Sequence, residues 1–158
     1  MPILKVCTAV FFPLVVIAAI NPAYSKGWDG EPSKCVFHQD QGTLRVLLAG
    51  YDTTTIFGYS RPSFGKLPNS TRQSFDVYFS GPASKGHDIK WGTVEMGVAP
   101  IHSQKSFILV TTPSFLRNLL TQTSVTFRPI GFSENAATIR LDEVPLGLKI
   151  LDICRTIK

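Results

Sequence analysis

The sequence has few of the residues that build metal centres, with three cysteines and three histidines among its 158 residues. The histidines, His38, His87 and His102, lie far apart in the chain. Zinc sites combine several thiolate and imidazole ligands in one small cluster. We therefore expect no metal ion and no cofactor.

Short motifs of common enzyme classes are also absent. The chain has no Gly-x-Ser-x-Gly nucleophile turn and no glycine-rich phosphate loop that ends in Gly-Lys-Ser or Gly-Lys-Thr. Their absence favours a non-enzymatic protein. A small envelope hydrolase remains an alternative, and its acid–base groups would have to converge in one cleft. The candidates for such a cleft are Asp52, His87, Asp88, Glu95 and His102.

Clusters of positive charge are missing as well, although the 16 Lys and Arg exceed the 11 Asp and Glu. No run of four basic residues occurs, and the bases are spread along the chain. Nucleic-acid-binding domains concentrate such residues on one patch or stripe. The dispersed charge predicts no nucleic-acid partner and is compatible with weak attraction to anionic surfaces.

The N-terminus has the pattern of a secretory signal peptide. Lys5 precedes an uncharged run of 15 residues, Val6–Ile20, and the small residues Ala23 and Ser25 occupy positions −3 and −1 of a cut before Lys26. A charged start, an apolar middle and a small-residue exit define such signals. The run is shorter than the ~20 residues that span a bilayer. We expect cleavage of residues 1–25, no remaining membrane segment, and a single periplasmic or secreted domain over residues 26–158.

Cleavage would remove Cys7 and leave Cys35 and Cys154. Exported proteins meet an oxidising compartment, and two cysteines allow only one pairing. We predict a Cys35–Cys154 disulfide that joins the two ends of the mature domain. The alternative is a pair of free thiols, one of them reactive.

The apolar pattern predicts a mainly β domain of the α+β class. Apolar and polar residues alternate over 43–48, 74–79, 93–98, 124–128 and 137–141, as in strands with one buried face. Helical spacing of apolar residues predicts a short helix near 113–121 and a C-terminal helix near 144–154. We expect an antiparallel, sandwich-like arrangement with the C-terminal helix over one edge or end.

The stretch from Gly58 to Arg72 has no clear periodicity and is interpreted as a long loop. Aromatic and arginine residues in a loop stiffened by prolines are typical of binding surfaces. An ordinary surface loop, with Phe64 turned into the core, is the alternative. The candidate binding residues are Tyr59, Arg61, Phe64, Lys66 and Arg72.

The last third of the chain carries a family resemblance. The pattern Leu-x-x-x-x-x-Gly-Leu-x-x-Leu-x-x-Cys runs from Leu141 through Gly147 to Cys154 and follows a helix, a strand, a polar turn and another strand. Over residues 105–155 this layout resembles the small exported bacterial proteins of the invasion-associated locus B type. The resemblance implies a Gram-negative periplasmic or secreted protein, virulence-associated and non-enzymatic, linked to envelope integrity or host-cell interaction.

These observations favour an exported binding or accessory protein whose partner is a protein of the envelope or of a host. The sheet edge and the 58–72 loop are the candidate contact regions. The sequence is also compatible with two alternatives: an inhibitor of a host or envelope hydrolase, and a structural subunit of an envelope assembly.

The signal peptide gives the first testable prediction. Protein purified from the cells that naturally make it should begin at Lys26, because signal peptidase cuts after a small residue at position −1. Intact-mass and N-terminal peptide mass spectrometry measure this directly. Detection of Met1 on the native protein would contradict the prediction.

Overall fold

The computed structural model of the chain describes residues 27–61, 71–101 and 104–157. The expected signal peptide lies outside these ranges, as do His102 and two of the expected binding residues, Phe64 and Lys66. Within them the chain forms nine strands and two α-helices. The strands are β1 (Asp29–Glu31), β2 (Val36–Gln41), β3 (Leu44–Tyr51), β4 (Thr54–Arg61), β5 (Arg72–Ser80), β6 (Ile89–Ile101), β7 (Gln104–Val110), β8 (Ser124–Pro129) and β9 (Ala137–Arg140). The helices are α1 (Pro113–Thr121) and α2 (Val144–Ile157), and short 3-10 turns occupy Pro32–Lys34, Pro82–Ser84 and Ser133–Asn135.

All strand pairs are antiparallel, and the nine strands form one sheet in the order β1-β2-β3-β4-β7-β6-β5-β8-β9. The prediction of a mainly β, α+β domain is confirmed. The sandwich-like arrangement is not, because the described strands belong to a single open sheet.

This single sheet curls around its own core. Strands β4 and β8 are separated by three strands, which corresponds to about 19 Å in a flat sheet. The rings of Tyr59 on β4 and Phe127 on β8 nevertheless have centroids only 5.3 Å apart. One sheet therefore supplies both walls of the core, and this replaces the second layer that a sandwich would need.

The two ends of the curled sheet are bridged by one side chain. The Gln41 amide at the end of β2 donates to the carbonyl oxygen of Arg140 on β9 at 2.9 Å, and the backbone N–H of Arg140 donates to Gln41 Oε1 at 2.9 Å. The side-chain amide thus forms the two hydrogen bonds that a backbone partner would form in a β-ladder. It links β2 to β9, which do not otherwise pair, and nearly closes the sheet.

The core is dominated by aromatic side chains on the inner face. Alternate residues of the strands point inward, which brings rings of β4, β5, β7 and β8 into mutual contact together with one ring of α1. Aromatic pairs in tilted or edge-on arrangements add to the free energy gained from burial. The fully or almost fully buried rings are Trp28, Phe37, Phe57, Tyr59, Phe75, Phe107, Phe115 and Phe127.

Helix α1 confirms the helix expected near 113–121. The Thr112 hydroxyl accepts from the backbone N–H of Phe115 at 3.3 Å, and Pro113 occupies the first helical turn. The buried residues Phe115 and Leu119 lie four apart and so share one face of the helix. That face closes one end of the curled sheet.

Helix α2 confirms the predicted C-terminal helix and extends three residues beyond its expected end, to Ile157. It packs against β3 and covers the indole ring of Trp28, whose Nε1 donates to the carbonyl oxygen of Glu143 at 2.9 Å. A Cβ atom on Gly147 would lie 2.6 Å from Trp28 Cε2 and 2.7 Å from Leu48 Cδ1. Glycine is present within this helix because nothing larger fits between it and the indole.

The predicted disulfide is present and joins Cys35, immediately before β2, to Cys154 in the last turns of α2. The neighbouring Arg155 donates from Nη2 to the Thr54 carbonyl oxygen at 2.6 Å and to Thr55 Oγ1 at 2.8 Å. Gly50 leaves the space that the Arg155 side chain occupies. The helix end is thus tied to β2 covalently and to the β3–β4 hairpin by hydrogen bonds.

Across the ranges given above, neither helix has both the length and the apolar character that a bilayer crossing requires.

The packing of Gly147 gives a second prediction. On helix propensity alone, Gly147→Ala would stabilise the protein by about 1 kcal/mol. Because the added methyl group overlaps Trp28 and Leu48, we expect a net loss of about 1–2 kcal/mol instead. Urea denaturation followed by tryptophan fluorescence measures the difference. Lys149→Ala, on the exposed face of the same helix, is the control and should change the unfolding free energy by less than about 0.5 kcal/mol. A more stable Gly147→Ala variant would contradict this packing.

The disulfide gives a third prediction. The bond closes a sequence separation of 119 residues, so replacing both cysteines (Cys35→Ser with Cys154→Ser) should lower the unfolding free energy by about 3–5 kcal/mol. The mature wild-type protein should take up no alkylating reagent until a reductant is added. Labelling of both cysteines without reductant would contradict the pairing.

Candidate functional site

The sheet has a second face, turned away from the aromatic core, which we call the outer face. Its side chains alternate with the core side chains along each strand. These outward side chains divide the outer face into two halves. The polar half lies on β5, β6 and β8, and the aliphatic half lies on β2, β3, β4 and β7.

Charged groups in the polar half are paired with one another. Asp76 accepts from Lys90 Nζ at 2.9 Å and from Thr93 Oγ1 at 2.7 Å. The hydrogen bond from Lys90, followed by that from Thr93, lowers the pKa of Asp76 below its ordinary value. The same contact raises the pKa of Lys90. Both groups therefore stay charged and occupied by each other over the neutral pH range.

The remaining polar-half residues are paired in the same way. Arg128 Nη2 lies 3.1 Å from Asp88 Oδ2, and its guanidinium carbon lies 4.3 Å from the centroid of the Tyr78 ring. Arg72 Nη1 lies 2.6 Å from Glu95 Oε1. These charged side chains of the polar half are therefore neutralised by one another.

The aliphatic half instead carries an apolar row across its four strands. The strand registers place Val36, Ala49, Ile56 and Val110 opposite one another in a row across β2, β3, β4 and β7. Val110 is 64% exposed. An apolar row across four strands, with its last member open to solvent, is the pattern of a contact surface rather than of an isolated surface residue.

A groove of about 380 Å³ lies in this half of the outer face. The second row across the strands contains Leu47, Gly58 and Ile108 in register. Gly58 has no side chain to fill the space between its two neighbours. A Cβ atom at Gly58 would lie 2.4 Å from the Phe107 carbonyl oxygen, so the close backbone approach requires glycine. The aliphatic residues that line the groove are Val36, Leu47, Ala49, Ile56 and Ile108.

Polar residues form the rim of the groove. Asp29 and Glu31 border it on β1, and Arg45 borders it on β3. Arg45 donates two hydrogen bonds to the Asp40 carboxylate, at 2.7 and 3.1 Å, and this pairing lowers the pKa of Asp40. Glu31 lies 2.6 Å from Lys34 Nζ. His38 and the buried Ser60 and Ser106 also line the groove, so its aliphatic surface adjoins polar groups as well as charges of both signs. Apolar surface with a polar border matches the anatomy of protein interfaces.

The binding loop expected over Gly58–Arg72 is corrected in part. The chain remains a strand through Arg61, and β5 begins at Arg72. Tyr59 is fully buried in the aromatic core, and burial raises the pKa of its phenol. It therefore cannot serve as a surface contact, because its inward position on β4 commits it to the core. Arg72 lies on the outer face and is paired with Glu95.

Three of the residues proposed for a hydrolase, Asp52, Asp88 and Glu95, have the following positions and partners. Asp52 lies in the β3–β4 turn with a left-handed φ of 46°. Asp88 bonds Ser80 and Arg128, whereas Glu95 bonds Arg72. No group of three His, Cys, Asp or Glu residues arranged to hold a metal ion occurs in the part of the chain that the structure describes.

Comparison with known proteins gives no relative: no family model matches the chain, and no curated protein or solved structure matches it either.

Reasoning from the sequence missed the groove, although part of its signal was visible. Leu47 stands at an outward position of β3, where a half-exposed strand usually carries a polar residue. The pattern around Gly58 predicts a loop, which hides the place of this residue in the row beside Leu47 and Ile108. Only the register of β3, β4 and β7 brings these residues together.

Proposed function

We propose that this protein is an exported, non-catalytic binding protein whose partner is another protein that packs on the aliphatic half of the outer face. One observation carries the proposal. The same face pairs its charges internally on β5, β6 and β8 but leaves an aliphatic groove on β2, β3, β4 and β7. A contiguous apolar surface bordered by polar residues is typical of an interaction site.

The extent of the apolar surface favours a protein over a small molecule. Tyr51, 69% exposed, and Val110, 64% exposed, lie outside the groove and continue its apolar character. A ligand confined to a 380 Å³ groove would leave both side chains in water, whereas a protein surface would cover them. The rim acids Asp29 and Glu31 and the rim base Arg45 suit a polar border around such a contact.

The N-terminal sequence and the disulfide both support the export of the protein. A Cys35–Cys154 bond persists in an oxidising compartment, which is where the secretory signal would deliver residues 26–158. The resemblance to invasion-associated locus B proteins supports the same periplasmic or secreted, non-enzymatic role, with envelope integrity or host-cell interaction as its setting.

The test is proximity labelling in the cell that makes the protein, with Val110→Glu as the variant. A carboxylate in an apolar interface loses its hydration without gaining a partner, which costs several kcal/mol. We expect the labelling of the specific neighbours of the wild-type protein to fall at least ten-fold.

Ile130→Glu is the matched control, because it also replaces an exposed apolar side chain by the same charge, at a 50% exposed position that does not line the groove. It should retain the wild-type neighbours. Both variants should also retain the wild-type unfolding free energy within about 0.5 kcal/mol. An unchanged set of neighbours for Val110→Glu would overturn the proposal. Self-association of the wild-type protein that Val110→Glu abolishes would assign the face to a second copy instead.

A further inference from the structure

Strand β6 has a long edge without a neighbouring strand. It runs from Ile89 to Ile101, and β5 pairs with it from Ile89 to Gly97. On the other side β7 pairs only with Gly97–Ile101, because β7 turns away with β4 after Ile108. Among the described residues, no strand lies beside the β7-facing edge of β6 between Ile89 and Met96.

The backbone hydrogen bonds show which groups face this edge. The N–H of Val98 donates to the Thr71 carbonyl oxygen at 2.8 Å, so the polar groups of Val98 face β5. Successive residues of a strand direct their N–H and C=O groups to alternate sides. Met96 and Val94 therefore face β5 as Val98 does, and Glu95 and Thr93 face the opposite, open side.

A second contact agrees with this assignment. The N–H of Ile130 donates to the carbonyl oxygen of Ser74 at 2.9 Å, so the Ser74 backbone is directed towards β8. Ser74 is paired in register with Glu95. Because Ser74 directs its polar groups away from β6, the pair exchanges no ladder hydrogen bonds, and the N–H and C=O groups of Glu95 point away from β5.

The side chains beside these groups do not cover the edge. Thr93 Oγ1 donates to Asp76, and Glu95 accepts from Arg72. Both partners lie on β5, so both side chains lean towards β5. A register shift opposite Val77 and Tyr78 inserts Trp91 as an extra residue of β6. The regular open edge is therefore Gly92–Met96, since bulges interrupt strand pairing.

A cavity of about 310 Å³ lies at the bulged end of this edge. Its lining includes Phe79, Ile89 and Trp91 from the strands, and Asn118 and Gln122 from α1 and its C-terminus. The Trp91 ring is held edge-on against Phe79 and Phe115, with centroids at 6.3 and 5.4 Å. The cavity thus combines an aromatic wall with side-chain amides.

We propose that the β6 edge receives an extended segment of a partner protein, which adds a strand to the sheet. The segment bonds the backbone groups of Thr93 and Glu95 and places an apolar side chain in the cavity beside Trp91. Main-chain bonds supply affinity and side-chain cavities supply selectivity in this mode of recognition. Lys85 follows the cavity-lining residue Ser84 in the chain and is exposed. It forms no ion pair within the described ranges and so favours a segment with an acidic residue nearby.

This edge is separate from the groove of the aliphatic half, so the two proposals fail independently. The probe is a library of random 12-residue peptides displayed on phage and panned on the mature protein. Thr93→Pro removes one N–H from the open edge and leaves the β5 ladder intact, because proline is tolerated where the N–H faces solvent. Thr93→Val keeps the N–H and removes only the hydroxyl.

We expect enriched peptides to bind wild type and Thr93→Val equally, and Thr93→Pro at least ten-fold more weakly. Failure to enrich any peptide over Thr93→Pro, or equal affinity for both proteins, would overturn the proposal. Self-association of the wild-type protein that is lost in Thr93→Pro would overturn it in favour of a second copy as the occupant.

Amide hydrogen exchange on the wild-type protein keeps the test independent of how well Thr93→Pro folds. In the free protein the N–H groups of Val94 and Met96 should exchange slowly and those of Thr93 and Glu95 quickly. A bound peptide should slow Thr93 and Glu95 at least ten-fold. Unchanged exchange of these two amides in the complex would rule out added-strand pairing at this edge.

Discussion

The contact between the rings of Tyr59 and Phe127 across the inner face is the constraint from which the rest of the structure follows. For this contact to form, the sheet must curl until the inward side chains of β4 and β8, four positions apart in the strand order, touch. The curl encloses the aromatic side chains of the inner face and removes the need for a second sheet. Because the inner face alone forms the core, the outer face is free to carry chemistry unrelated to stability.

Curling also accounts for where the sheet is incomplete. Strand β7 follows β4 and leads into α1, which closes one end of the core, while β6 stays with β5. The two pairs separate after Gly97 and Ile108, and the divergence leaves the edge of β6 uncovered. The ends of the sheet are held together instead. Gln41 joins β2 to β9, and the disulfide fixes α2 beside β2. Among the described residues the ends of the sheet are thus tied together, whereas the edge of β6 has no strand beside it.

Much of the fold could be predicted from residues that act locally. Thr112-Pro113 marks the start of α1, and period-two alternation marks strands such as Phe75–Phe79, because capping and pleating depend on neighbours in sequence. Tyr59 shows where this reasoning fails: prolines and glycines nearby favoured a loop, but its ring fills the centre of the core. Tertiary packing overrode a weak local pattern, as it commonly does for strands.

The sequence by itself determined the strand-rich class, both helices and the cysteine pairing, since the predicted mature domain holds two cysteines and they leave one choice. The tertiary structure alone decided that the sheet is single and curled, that Gly147 makes room for Trp28, and that Leu47, Gly58 and Ile108 share a groove. The physical reason is that strand order and register are set by contacts between residues far apart in the chain. No local pattern encodes which strand lies beside which, and a site built across strands exists only once that order is known.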